Sequence, residues 1–389
     1  MDSRKATLRF AKNLLDAEQR RDNLVAISFT YYSRLLRAVP RTVAVVVKAV
    51  PDKEHTHEAV EDFSLAHARH FYQSANKRVA PDNRTEYRIT LSAAGLRSMN
   101  ALDLVRLLPL MDRTTGRPEV KIGLIDGPVV MNHPGLSGEQ VAEIPGTLSG
   151  ACAQADSTAC LHGTFVAGIL CAKRNSSAPA ICPGCTLLVR PIFAETAEAN
   201  GAMPSATPTE LAQAILDCID AGARVLNVSA ALAQPSLKSE RALQDALDQA
   251  AKRGVIVIVA AGNQGTLGST TITRHPWVIP VVAFDLQGKP MGHSNLGNSI
   301  GRRGLGAPGD QITSLGADGK ALTLAGTSAA APFVTGAIAL LWSEFPAATA
   351  AEIRFAVTQA YAQRRTTVVP PLLDAWAAYQ LIVAAHSGT

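Results

Sequence analysis

After Glu119 the chain alternates between short apolar runs and longer amphipathic runs, and this alternation constrains the fold more than any other feature of the sequence. Apolar strands separated by helices are typical of a parallel sheet covered by helices on both faces. We therefore predict an α/β domain over residues 120–389, with three layers and a mainly parallel central sheet. Its functional groups are expected at the carboxyl ends of the strands. The predicted strands are Val120–Asp126, Thr186–Phe193, Arg224–Ser229, Val255–Ala261 and Val278–Phe284, and the predicted helices are His162–Lys173, Thr209–Ala221, Leu237–Arg253, Ser328–Glu344 and Thr349–Ala360.

The part of the chain before residue 120 follows a different pattern. Residues 1–38 are predicted to form a helical extension, because apolar residues recur there at helical spacing. Residues 39–111 are predicted to form a small α+β unit in the order strand, helix, strand, helix. Residues 112–119 are polar and contain Gly and Pro, which predicts a linker.

The charge of the chain lies mainly in its first part. The net charge is +5, but residues 1–118 hold 20 Lys and Arg against 13 Asp and Glu, whereas residues 119–389 hold 17 against 19. This basic balance indicates either a solvated surface or a surface that meets an acidic partner, such as an acidic leader peptide. Nucleic acid is not expected, because no basic run is interleaved with aromatic residues.

The sequence shows no targeting or membrane segment. The N-terminus has no apolar core of a signal peptide, and no apolar run reaches the roughly 18 residues of a membrane span. These features predict a cytoplasmic protein without membrane contact, or a secreted protein if a signal sequence precedes this chain. The oligomeric state is left open.

Six cysteines raise the question of metal or redox chemistry. Cys182 and Cys185 have the spacing of a zinc or redox motif, but without a second such pair they are better explained by a turn that enters a strand. Cys152 and Cys160 bracket a short polar loop and could pair if oxidised. No loop carries the clustered carboxylates of a calcium site, so neither a metal nor a cofactor is predicted. Four histidines in the N-terminal part are assigned to a solvated helix face: His55, His57, His67 and His70.

Four polar residues stand at element ends in glycine-rich junctions, in the order Asp126, His162, Asn263, Ser328. Taken singly, each has an ordinary structural explanation, such as a turn, a helix start or an N-cap. Together they are hard to explain by structure alone. A carboxylate, an imidazole and a hydroxyl are the groups of a nucleophilic triad, and an amide can stabilise an oxyanion.

The motifs Ala260-Ala-Gly-Asn263 and Gly326-Thr-Ser-Ala-Ala-Ala-Pro332 resemble those of the subtilisin-like serine peptidases almost position by position, and the resemblance extends over about residues 120–380. It implies a subtilisin-like three-layer fold and a serine endopeptidase. It also implies that Ser328 is the nucleophile, that His162 is the general base, and that Asp126 orients the imidazole. Asn263 and the Ser328 backbone N–H would hold the oxyanion.

The same resemblance implies the substrate contacts. Ser229, Ala230 and Ala231 match the segment that pairs with extended substrate and forms one wall of the first specificity pocket. Ala261 and Gly262 match the opposite wall. The family usually has Gly where Ala231 stands, so a narrower pocket that favours small side chains is predicted.

A narrower resemblance links the chain to the proteases that mature cyanobactins, which are ribosomal peptides tailored after translation. Asp126-Gly-Pro-Val129 carries it, together with Gly288-Lys-Pro-Met-Gly-His-Ser-Asn295. It implies removal of a leader or follower from a precursor peptide. The stretch between Asp126 and His162 is too short for the helical cap of the cyclising relatives, which favours hydrolysis.

Some alternatives stay open. The end of the N-terminal unit resembles an inhibitory prodomain, which implies a zymogen cut in the linker, but the unit could equally be a permanent accessory domain. Two alternative functions of the whole chain are a secreted degradative protease and an inactive binding scaffold.

Overall fold

The computed structural model describes residues 24–31, 41–48, 100–137, 140–195, 206–229, 241–359 and 367–387. The chain divides into two compact units, Met1–Asn100 and Ala101–Thr389. In the first unit the described backbone forms an antiparallel pair, β1 (Leu24–Tyr31) and β2 (Arg41–Lys48).

Strand β1 contradicts the helical assignment of residues 1–38 over its own length. The segment is rich in β-branched and aromatic residues and pairs along its whole length with the Val-rich β2, and such pairing outweighs a local helical pattern. The first strand of the α+β unit predicted over residues 39–111 is present as β2. The other elements predicted before Asn100, and the four histidines, lie outside the described residues.

The second unit begins earlier than the predicted linker. Two short helices, α1 (Ala101–Leu104) and α2 (Leu108–Met111), belong to this unit. Leu107 and Leu110 are fully buried in its core, so the predicted boundary at residue 111 falls inside the unit. The apolar residues that suggested the end of the preceding unit are instead core residues of this one.

Residues 112–119 are packed onto the second unit. The Thr115 carbonyl accepts from the Gly184 N–H at 2.7 Å, and the Pro118 carbonyl accepts from the Thr186 hydroxyl at 2.8 Å. The Gly and Pro content of residues 112–119 therefore predicted a loop correctly. The loop is hydrogen-bonded to the second unit at several points and is not a free linker.

Among the described residues, seven parallel strands form the central sheet, which confirms the predicted fold class. Their spatial order is β4-β5-β3-β6-β7-β8-β9. All five predicted strands are present to within two residues at each end, and the two strands not predicted are the short edge strands, β4 and β9. The strands are β3 (Lys121–Asp126), β4 (Val141–Glu143), β5 (Thr186–Pro191), β6 (Val225–Val228), β7 (Ile256–Ala260), β8 (Val278–Phe284) and β9 (Leu305–Pro308).

Helices cover both faces of the sheet. On one face lie α3 (Thr158–Cys171) and the long central α8 (Thr327–Glu344), and on the other lie α4 (Pro208–Asp220) and α5 (Arg241–Lys252). Alternate strand residues supply the two cores, because successive side chains point to opposite faces. The remaining elements are α6 (Thr271–Arg274), α7 (Asn298–Arg303), α9 (Ala350–Gln359), α10 (Ala375–Ser387) and the hairpin of β10 (Ile312–Leu315) and β11 (Ala321–Leu324). Within the described ranges, no helix has the length and apolarity that a bilayer crossing needs.

Candidate active site

Three of the predicted site residues lie along one edge of the sheet. Asp126 is the last residue of β3, Ser229 directly follows β6, and Asn263 lies just beyond the end of β7. These three strands are neighbours and parallel, so their carboxyl ends meet at the same edge. This is where α/β sheets place their ligands.

His162 reaches this edge from helix α3. The helix was predicted to begin at His162, but it begins at Thr158. The imidazole of His162 therefore lies in the second turn of the helix. The start is fixed by Ser157, whose side-chain oxygen accepts from the Cys160 N–H at 3.2 Å. The Ser-Thr pair before the apolar run was the sequence signal for this start.

Asp126, His162 and Ser328 form a continuous hydrogen-bonded chain. The His162 Nδ1 lies 2.7 Å from the Asp126 Oδ1, and the His162 Nε2 lies 2.9 Å from the Ser328 Oγ. Asp126 is fully buried, whereas the side chain of His162 is 12% exposed and Ser328 is half-buried. The hydroxyl is thus the accessible end of the chain and the carboxylate is its buried end.

The charge of Asp126 controls the titration of His162. Burial by itself would lower the pKa of the imidazole, but the negative charge of Asp126 and the hydrogen bond to it outweigh that effect, so the pKa of His162 is raised above its ordinary value of 6.5. The Asp126 Oδ1 also accepts from the Gly127 N–H at 2.6 Å, which holds the carboxylate in place.

Two glycines allow α3 to approach the end of β3 this closely. A Cβ on Gly127 would collide with the Ala159 carbonyl of α3, and a Cβ on Gly163 would collide with the Gly127 and Pro128 carbonyls. Gly127 is therefore a packing requirement of the helix that carries His162.

Replacing Gly127 by Ser is expected to displace α3 and to lower kcat/KM about tenfold or more, because small misplacements of catalytic groups are costly. Overpacking should also lower the free energy of unfolding by about 1–3 kcal/mol. Steady-state kinetics and thermal melts check both effects. Gly292→Ala is the matched control, since a Cβ there meets no atom within 4 Å. A fully active Gly127→Ser enzyme would contradict the packing argument.

Asn263 is held from one side by Thr327. The Asn263 Oδ1 accepts from the Thr327 backbone N–H at 2.9 Å and from its hydroxyl at 3.0 Å, and the Thr327 hydroxyl in turn accepts from the Gly262 N–H at 3.1 Å. These contacts fix the amide so that its Nδ2 donors face away from Thr327. Gly326 has a φ of +130°, and a Cβ there would lie 2.9 Å from the Asn263 Nδ2.

Ser328 lies in the first turn of α8, where backbone N–H groups have no intrahelical acceptor. The Ser328 N–H and the Asn263 amide are therefore donors of the kind that stabilise an oxyanion. The Ser328 hydroxyl, the His162 imidazole and both donors all lie at the carboxyl edge of the sheet.

The predicted substrate-binding residues are described in part. Ser229 lies beside β3, with its N–H bonded to the Ile125 carbonyl at 3.2 Å. Ala261 is buried, and Gly262 has a φ of +104° that suits a residue without a side chain. Ala230 and Ala231 lie outside the described residues, so the width of the pocket stays a prediction.

The sequence did not predict the buried hydrogen bonds that link the end of β6 to α8. The buried Asn227 donates to the Ser229 Oγ at 3.2 Å and accepts from the Thr335 hydroxyl of α8 at 2.9 Å. Thr327 was also missed as the residue that orients Asn263. A polar side chain in an apolar strand, and a Thr directly before Ser328, were the available signals.

The cysteines separate into two groups. Cys152 and Cys160 form a disulfide, as expected for an oxidised pair, and Glu195 lies against them. Cys182 and Cys185 are buried free thiols at the turn before β5, which agrees with the predicted turn. The CxxC spacing of that pair thus reflects a chain reversal.

Comparison with known proteins identifies the family of this chain. The profile of the Subtilase family matches residues 117–371, well over half of the chain. Subtilisin DY from Bacillus licheniformis is 30% identical over 240 residues, which are 60% of this chain and 81% of that protein. Subtilisin E from Bacillus subtilis is 29% identical over 240 residues, which are 60% of this chain and 58% of that protein.

Solved structures agree with this family. The protease domain of PatA superimposes with a TM-score of 0.64 at 28% identity, covering 69% of this chain and 97% of that one. The prenylagaramide maturation protease PagA gives 0.61 at 27% identity, covering 71% and 98%. The resemblance inferred from the motifs is confirmed, and the chain belongs to the subtilase family of serine peptidases.

Proposed function

We propose that this peptidase cleaves a ribosomally made precursor peptide, with Ser328 as nucleophile, His162 as general base and Asp126 as the residue that orients it. The observation that carries the mechanism is the hydrogen-bonded chain of 2.7 Å and 2.9 Å from Asp126 through His162 to Ser328. The Ser328 Oγ attacks the scissile carbonyl while His162 takes its proton. The imidazolium then protonates the leaving amine, and water hydrolyses the acyl-enzyme.

The oxyanion of each tetrahedral intermediate would be held by the Asn263 Nδ2 and the Ser328 backbone N–H. Both donors are in place before substrate arrives, because Thr327 fixes the amide and the helix fixes the backbone. Preorganised donors of this kind stabilise the transition state without reorganisation during the reaction. Ser229, Ala230 and Ala231 on one side, and Ala261 and Gly262 on the other, would hold the extended substrate.

Peptide maturation is supported by the relatives. PagA and PatA are maturation proteases by their names, and the Asp126-Gly-Pro segment of this chain resembles that of the maturation type. That segment has a structural role here, since Gly127 is what lets α3 approach β3. A leader or follower peptide is therefore the proposed part of the substrate that is removed, and a general degradative protease is the alternative.

Hydrolysis is favoured over cyclisation by the region between Asp126 and α3. Its described residues form β4 and loops and contribute no helix, and an acyl-enzyme without a helical cap would be open to water. A cyclising enzyme has to exclude water from that intermediate.

A synthetic precursor peptide with leader, core and follower is expected to yield linear fragments in mass spectrometry. The linear core is one water heavier than the macrocycle, so the two products are distinguished directly. The Ser328→Ala variant should leave the precursor intact. Rapid cleavage of unrelated proteins such as casein, with no preference for the precursor, would favour the degradative reading, and a core of macrocycle mass would contradict hydrolysis.

The N-terminal unit is proposed to be a prodomain that the enzyme removes itself. The wild-type protein should then shorten on purification while Ser328→Ala keeps its full length. Because residues 101–119 are packed into the peptidase unit, the new N-terminus should lie before Ala101 rather than in the predicted linker. N-terminal sequencing checks the position. Identical full-length masses for both proteins would indicate a permanent accessory domain.

A further inference from the structure

The loop that precedes the catalytic helix brings together three potential metal ligands. Cys152, Cys160 and Glu195 each have one ligand atom within 4.8 Å of the other two. We propose that these residues bind a thiophilic divalent cation, with Zn²⁺ as the type, whenever the Cys152–Cys160 disulfide is reduced. This site is separate from the peptidase chemistry and does not depend on which peptide is cleaved.

The backbone keeps the two cysteines close without the disulfide. The Cys152 N–H donates to the Val129 carbonyl at 3.2 Å, and Ala151 forms a bridge with Val129. Cys160 lies in the first turn of α3, whose N-cap is Ser157. The two Cα atoms are 5.7 Å apart. Sulfurs bound to one zinc at about 2.3 Å stand roughly 3.8 Å from each other, which side-chain rotation alone can provide.

Glu195 is fixed at the loop by contacts that do not involve sulfur. Its carboxylate accepts from the Ala153 N–H at 2.9 Å and 3.1 Å and from the Gln154 N–H at 2.8 Å, and Ser157 donates its hydroxyl at 3.3 Å. The Oε2 takes part only in the contact with Ala153, so it keeps a lone pair for a cation. Because Glu195 stands 42 positions from Ala153, cysteine spacing in the sequence does not reveal it.

The site forms in two balanced steps. A dithiol reductant transfers two electrons to the Cys152–Cys160 bond, which breaks to two thiols while the reductant becomes a disulfide. The cation then displaces the two thiol protons and binds two thiolates and the carboxylate, and water completes a tetrahedron. The first turn of α3 favours negative charge on Cys160, because the helix N-terminus is the positive end of its dipole.

The site lies beside the helix that carries His162. Cys160 precedes His162 by two residues on α3, so a cation would replace the disulfide as the link between α3 and the loop before it. Disulfides are rare in reducing compartments, where this thiol pair would exist in its metal-binding form. The peptidase would then keep its catalytic helix anchored in both redox states.

The test uses the full chain in the Ser328→Ala background, which prevents self-cleavage. After reduction and removal of the reductant, Cd²⁺ is titrated and followed by the ultraviolet thiolate-to-cadmium charge-transfer band, and Zn²⁺ affinity is measured by chelator competition. The reduced protein should bind one more equivalent than the oxidised protein. Cys152→Ala/Cys160→Ala should lose that equivalent, and Glu195→Gln should bind it about tenfold more weakly or worse.

Matched controls separate this site from the other thiols. Cys218→Ala removes an isolated buried thiol, whose pKa burial raises to about 12, and should leave the titration unchanged. Circular dichroism melts show whether each variant is folded, and Zn²⁺ should raise the Tm of the reduced protein but not of the double-alanine variant. Equal cadmium binding by the reduced protein and the double-alanine variant would overturn the proposal, as would a redox-independent stoichiometry.

Discussion

Replacing Asp126 by Asn is expected to lower kcat by about 10⁴-fold while the fold stays intact, the magnitude typical of losing the triad carboxylate. The change is isosteric, but an amide that turns its NH₂ group to His162 forces the Nδ1 to accept a hydrogen bond. The proton then sits on the Nε2, which faces the Ser328 Oγ at 2.9 Å, and the base is lost. Measuring kcat by active-site titration and steady-state kinetics checks this result.

The same substitution should move the pH profile. Asp126 raises the pKa of His162 above 6.5, so kcat/KM of the native enzyme should rise with pH through a midpoint above that value, as the imidazole loses its proton. In Asp126→Asn the upward contributions are gone while burial remains, so the midpoint of the residual activity should shift to lower pH. An unchanged midpoint would show that the rise of kcat/KM with pH reports the titration of a group other than His162.

Stability should follow the same linkage with a defined sign. The pKa of His162 is raised in the folded state, so the charged pair with Asp126 stabilises the fold fully below the unfolded pKa of about 6.5, and this contribution is lost as pH rises through the folded pKa. Asp126→Asn should remove this part of the pH dependence. Asp248→Asn is the matched control, since Asp248 pairs with His275 at 3.1 Å away from the triad, and it should change neither kcat nor its pH profile.

The meeting of Asp126, Ser229 and Asn263 at one edge of the sheet could be predicted from the sequence because two strong rules coincide there. Between Lys121 and Asp126 strand β3 has no polar side chain, and parallel strands place their carboxyl ends together. The polar residues that follow neighbouring strands were therefore expected to lie close to each other. The glycine-rich motifs around Asn263 and Ser328 then restricted the family. No local sequence pattern encodes long-range contacts. For this reason the hydrogen bond from Thr327 to Asn263 was not predicted.

The errors at the start of the chain have a similar cause. Residues 101–111 are apolar and helical, and sequence alone does not tell which core such a segment enters; the structure buries Leu107 and Leu110 in the peptidase unit. The strand β1 was missed because its partner β2 lies in the next segment, and pairing stabilises a strand more than local propensity does. Local periodicity carries no information about the partner.

Replacing Asn263 by Ala is expected to lower kcat by about 10²–10³-fold with little change in KM, which is the loss typical of one oxyanion-hole donor in this family. The donor acts on charge that develops only in the transition state, so substrate binding should be nearly unaffected. The Thr327 N–H and hydroxyl lose an acceptor, so stability should fall by about 1–3 kcal/mol. Wild-type kcat in a folded Asn263→Ala enzyme would refute the assignment.

Thr327→Val tests whether Thr327 acts through Asn263. It keeps the shape of the side chain but removes the hydroxyl that donates to the Asn263 Oδ1 and accepts from the Gly262 N–H. A loss of about tenfold in kcat is expected, equivalent to roughly one hydrogen bond.

In the Asn263→Ala background the same change should have almost no further effect, because residues that act as a unit are not additive. Thr323→Val, which breaks an exposed hydroxyl pair with Thr313 on the β10–β11 hairpin, is the control and should leave kcat unchanged. Full additivity of the two catalytic-site substitutions would show that Thr327 contributes to the site independently of the amide.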